Sequence, residues 1–65
     1  MKVTIEIDVP EGTRWMAQDQ NGEWWFFKNK PTPKHGMWVD MDGDSRFAYP
    51  DRPSKDWKSQ LYEVY

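Results

Sequence analysis

Four large rings in a row, Trp24-Trp25-Phe26-Phe27, follow a turn signal at Asp19-Gln20-Asn21-Gly22. A β-strand sends successive side chains to opposite faces. If this run is a strand, both of its faces are aromatic and both need a cover or a partner. The run therefore predicts a strand at the centre of a small β domain, with apolar layers on two sides.

The turn before it admits two registers. A two-residue loop at Asn21-Gly22 pairs Gln20 with Glu23. A three-residue loop, with Gly22 left-handed in a G1 bulge, pairs Asp19 with Glu23. A one-residue slip exchanges the faces. We favour the three-residue loop. It places Trp15 and Ala17 with Trp25 and Phe27 on a core face. Arg14, Met16 and Gln18 then share a half-polar face with Trp24 and Phe26.

Other elements are read from their periods and punctuation. In Lys2 to Val9, Val3, Ile5, Ile7 and Val9 alternate with polar residues, the pattern of a half-buried strand. Pro10-Glu11-Gly12 ends it, and Thr13 to Asp19 is the next strand. Lys28 to Gly36 reads as a loop, since its two prolines disfavour a central strand. Met37 to Met41 and Ser45 to Tyr49 read as a hairpin about Asp42-Gly43, with Trp38 opposite Phe47. Tyr49 to Pro53 is irregular. Ser54 can N-cap a helical turn over Lys55 to Gln60, with Trp57 and Leu61 facing the sheet, and Leu61 to Tyr65 can form a last edge strand.

The expected fold is all-β: a small antiparallel meander sheet of four to five strands, able to curl into an SH3-like barrel, with a short C-terminal helical turn. The 65 residues make a single domain. A chain this short buries only about 60% of its unfolded surface, and small folds often add disulfides or a metal. There is no cysteine, which excludes disulfides and thiolate zinc sites and suits a reducing compartment. Five Trp, three Tyr and three Phe supply the apolar mass instead. The expected core is Val3, Ile5, Ile7, Trp15, Ala17, Trp25, Phe27, Val39, Trp57 and Leu61.

Charge and motifs narrow the function classes. A net charge of −2 argues against duplex DNA as a partner. No apolar run approaches the roughly 20 residues of a membrane span, and the N-terminus lacks a signal-peptide pattern, so a cytoplasmic protein is expected. One histidine, His35, and no nucleophile, phosphate-loop or cofactor motif point away from an enzyme and from any cofactor. The acids Asp40, Asp42 and Asp44 fall at positions one, three and five of an EF-hand-like loop. Ser45 replaces its sixth-position glycine and Asp51 stands in for the terminal glutamate. An acidic hairpin tip is the simpler account.

Two binding classes remain. Eleven rings exceed what a small core is expected to enclose, and exposed aromatic patches mark interaction sites. Trp24, Phe26, Trp38 and Phe47 are the candidate contact residues for a protein partner, with a homodimer as a related outcome. Alternatively, the same rings stack single-stranded bases while Lys28, Lys30 and Lys34 meet phosphates. The lysines cluster between positions 28 and 34 rather than along the sheet, which favours a protein partner.

Gly22-Glu23-Trp24-Trp25-Phe26, then Lys30-Pro31, Trp38 and Asp56-Trp57-Lys58-Ser59-Gln60-Leu61 together resemble small hypothetical proteins of tailed bacteriophages. The tail departs from that pattern in carrying its serine one place early. The resemblance implies an accessory product in a bacterial host cytoplasm that binds a host protein. It implies no catalytic residues.

Overall fold

The computed structural model describes residues 7–64. It is all-β: β1 (Trp15–Gln18), β2 (Trp24–Phe27), β3 (Thr32–Lys34), β4 (Met37–Val39), β5 (Ser45–Tyr49), a 3-10 turn (Trp57–Ser59) and β6 (Leu61–Glu63). The strands form a four-stranded antiparallel sheet in the order β5-β2-β1-β6 and a separate β3-β4 pair. The sheet does not close into an SH3-like barrel, and its order is not a meander. Val3 and Ile5, with most of the expected first strand, lie outside the described residues. Within the described part, Ile7 to Val9 are not in a strand and Val9 is exposed.

The β1-β2 hairpin has the three-residue loop. Trp15 pairs with Phe27, Ala17 with Trp25 and Gln18 with Trp24. The Asp19 N–H donates to the Glu23 carbonyl at 2.8 Å, and Gly22 takes φ +98°. The amide of Gln18, buried, donates to the carbonyls of Gly22 (3.1 Å) and Arg52 (2.9 Å). It thereby ties the turn to the irregular segment that follows β5. The two hydrogen bonds offset the cost of taking this amide out of water.

The expected β4-β5 hairpin does not form. β4 pairs with β3 instead, Thr32 opposite Val39 and Lys34 opposite Met37. Its two-residue tip is His35 (φ 51°) and Gly36 (φ 84°), both in the left-handed region that a type I′ turn needs. Pro33 is tolerated because a two-stranded ribbon has only edge strands. Asp42-Gly43 still turns the chain, through an Asp42 N–H to Asp40 Oδ1 bond of 3.0 Å. It delivers β5 to β2, with Ser45 opposite Phe27 and Tyr49 opposite Trp24. A bulge between Trp24 and Trp25 lets Phe47 and Tyr49 serve opposite faces. Phe47 therefore meets Trp25 edge-on at 5.5 Å, and Tyr49 stacks near Trp24 at 6.3 Å. The expected Trp38–Phe47 pair is replaced by a T-shaped Trp38–Trp57 contact at 6.2 Å.

One face of the sheet carries the main core: Ala17, Phe27, Trp38 and Trp57, with Trp15, Trp25 and Leu61 half-buried against it. Val39 is half-buried as well. Trp57 and Leu61 thus cover the Ala17-Phe27 face, not the Trp24-Phe26 face. The helical turn is shorter than expected, one 3-10 turn begun by Asp56, with Ser54 Oγ accepting the Asp56 N–H at 3.2 Å. The last strand forms, and β6 pairs with β1 at Trp15 to Ala17.

Candidate functional site

The residues singled out from the sequence do not converge. Trp24 and Phe26 are only 7% and 4% exposed. Trp24 lies between Tyr49 and Tyr62 (5.9 Å), and its indole N–H donates to Asp51 Oδ2 at 3.2 Å. Its rings are committed to packing and offer no face for a base. Trp38 is buried as well, with its indole N–H on the Gln18 carbonyl at 2.8 Å and its backbone N–H on Asp19 Oδ1 at 2.8 Å. Phe47 alone of the four rings remains half exposed, at 48%.

The three lysines also part company. Lys28 pairs with Asp44 at 3.4 Å. Lys30 sits over the Trp15 ring, 5.4 Å from its centroid. Lys34 is exposed on the β3-β4 ribbon. Among the described residues, no stripe of positive charge tracks a row of open rings.

The acids of the EF-hand-like stretch hold one another and their neighbours. Asp40 is buried. Its Oδ2 and that of Asp42 accept from the Asn29 amide at 3.4 and 3.2 Å, and Asp44 faces Lys28. Among the described residues no group of three or more His, Asp or Glu side chains is arranged to hold a metal ion. The geometry here is a turn stapled by Asn29, not a ring of carboxylates around one point.

What the fold does build is a cleft of about 280 Å³ between the β3-β4 ribbon and the β2-β5 edge of the sheet. Trp25, Phe27, Trp38 and Val39 form its apolar lining, with Met37 on the ribbon side. Three acidic residues, Asp19, Glu23 and Asp40, are among its lining residues. Met37 is 50% exposed, and Phe47 continues the apolar surface from Trp25. Sequence reasoning passed over Trp25, Met37, Asp19 and Glu23. The alternation of β2 had assigned Trp25 to the core, and the ribbon that brings Met37 and Trp38 opposite it had no recognised turn. A His-Gly pair between Lys34 and Met37 was the available signal.

Asp19 joins the cleft to the fold. Burial pushes its carboxyl above the usual carboxylate range, and the negative charge of Glu23 adds to the rise. The Trp38 N–H works in the opposite direction. A carboxyl raised in the folded state contributes stability that is present at low pH and is lost as pH rises through its folded value. Asp19→Asn keeps an acceptor for the Trp38 N–H but removes the charge. Its urea midpoint is expected to gain on the wild type as pH rises from the acid range to neutrality. Parallel midpoint curves for the two chains would remove this assignment.

No family model, no curated protein and no solved structure matches the chain. Among the described residues no helix is long and apolar enough to cross a membrane.

Proposed function

We propose that this chain is a non-enzymatic binding protein that docks a polypeptide partner in the cleft between the β3-β4 ribbon and the β2-β5 edge. The observation that carries the reading is a continuous apolar surface on a small domain: the half-exposed Phe47 and Met37 flank the Trp25 wall of a preformed cleft. Half-open aromatic and methionine side chains beside a pocket supply the anchors that interfaces favour. The dispersal of Lys28, Lys30 and Lys34 and the burial of Trp24 and Phe26 support a polypeptide over a single-stranded nucleic acid. The likeness to tailed-phage products supports an accessory role in a bacterial cytoplasm, directed at a host protein.

The test is selection of binders from a random peptide display library, followed by amide chemical-shift mapping on the whole chain. Shifts are expected at Trp25, Met37, Val39 and Phe47. Phe47→Ser and Met37→Ser change exposed side chains and are expected to keep the fold. Each should weaken the selected peptides by about tenfold, the loss expected for an anchor worth about 1.4 kcal/mol. Shifts confined to the Trp24-Tyr62 face, or affinities unchanged in both variants, would overturn the assignment.

A further inference from the structure

We infer that the occupant of this cleft presents a lysine or arginine side chain between its aromatic lining and its carboxylates. The inference rests on the binding role proposed above and adds the chemistry of the partner. Charge complementarity carries it. Asp19, Glu23 and Asp40 line one cleft, yet the single salt bridge among the described residues is Lys28 with Asp44. Among the described residues, the three carboxylates therefore have no cation within salt-bridge distance. Their polar contacts are with neutral groups: Asp19 with the Trp38 N–H, Glu23 with the Asn21 amide, and Asp40 with the Asp42 N–H and Asn29. A negatively charged cleft wall attracts a positive group and repels a negative one.

The lining points the same way. The face of an indole is the negative end of its quadrupole and attracts ammonium and guanidinium groups. The chain already uses this contact twice, with Lys30 over Trp15 at 5.4 Å and Lys58 over Trp57 at 5.8 Å. Among the described residues Trp25, the half-buried indole of the cleft, has no such lysine. Size adds a limit. A volume of about 280 Å³ falls just below the roughly 300–1,000 Å³ of small-molecule sites, which suits one long side chain better than a whole cofactor. The methylenes of lysine or arginine would lie on Phe27, Val39 and Met37 while the charged end reaches the carboxylates.

The probes are N-acetyl-lysine methylamide, N-acetyl-arginine methylamide and the neutral N-acetyl-norleucine methylamide, each titrated into the whole chain by NMR. The two cationic amides are expected to move the Trp25 indole N–H and the Gly43 and Ser45 amides saturably at millimolar concentration. The norleucine amide should bind more weakly. Glu23→Gln changes a half-exposed rim residue and should weaken the cationic amides by about threefold, as an exposed ion pair does, while leaving norleucine unchanged. Norleucine binding as well as lysine in this cleft would overturn the inference and leave the docking role intact. Failure of both cationic amides, while library peptides still map to the cleft, would do the same. If neither the amides nor any peptide perturbs the cleft, both readings fall.

Discussion

Trp38→Ala is expected to leave the chain largely unfolded at room temperature. Trp38 is where the ribbon and the sheet meet. Its ring packs edge-on against Trp57 at 6.2 Å within the buried cluster of Ala17 and Phe27. Its indole N–H is bonded to the Gln18 carbonyl, and its backbone N–H holds the Asp19 carboxylate. Truncating a buried tryptophan typically costs about 3–5 kcal/mol, since lost burial is compounded by the cavity left behind. A small domain has only about 5 kcal/mol in total at the low end of the usual range. Near-ultraviolet circular dichroism and urea unfolding read the result directly. Trp38→Phe keeps most of the apolar volume and drops only the indole hydrogen bond. It should stay folded and lose about 1–2 kcal/mol, mostly from the unmet Gln18 carbonyl. An alanine variant with a wild-type urea midpoint would show that the ribbon docks without its tryptophan.

Gly22→Ala is the second large effect, and its contrast with Gly43→Ala is the sharper measurement. Both glycines have positive φ, +98° and +66°, and both follow a turn residue that prefers loops. Around Gly22 a Cβ would fall on the carbonyl oxygen of Asp51 and come within 3.0 Å of the Pro53 nitrogen. Those are backbone atoms of the segment that Gln18 and the Gly22 carbonyl hold in place. The substitution therefore combines a strained dihedral with displacement of a packed strand of chain. A loss of about 3 kcal/mol or more is expected. At Gly43 an added Cβ meets nothing within 4 Å. Only the left-handed dihedral remains, at about 1–2 kcal/mol. Equal urea midpoints for the two variants would contradict the packing of the 51–53 segment on the β1-β2 turn.

These two positions also show how much of the fold could be read in advance. The three-residue register at Gly22 was legible because alternation on both sides of the turn had to agree. With that register Trp15, Ala17, Trp25 and Phe27 share a face, as observed. The span of β5 was legible for the same local reason, and so was the edge strand at Leu61. Strand partnership was not. Asp42-Gly43 carries a stronger hairpin signal than His35-Gly36, yet the latter closes the hairpin. Local propensity sets where the chain turns, but not which strand accepts the next one. The choice lies with non-local burial. Pairing β5 with β2 gives both Trp25 and Trp24 an aromatic neighbour, and it frees Trp38 to pack on Trp57.

The candidate site divides along the same line. Phe47 and Trp38 were singled out as aromatic contacts, and the cleft lies beside one and is lined in part by the other. Trp24 and Phe26 were singled out on equal grounds and are packed away, because Tyr49, Tyr62 and Asp51 come to meet Trp24 from distant parts of the chain. Sequence by itself determined that this protein is built of short antiparallel strands about a two-faced aromatic strand, with its central turn at Gln20-Asn21-Gly22. Those features follow from side-chain alternation and from the φ that glycine permits. Only the tertiary structure decided which face of Trp24-Trp25-Phe26-Phe27 is packed away and which borders the cleft. That depends on where Trp38 and Trp57 find burial, and on a bulge that sends Phe47 and Tyr49 to opposite sides of the sheet.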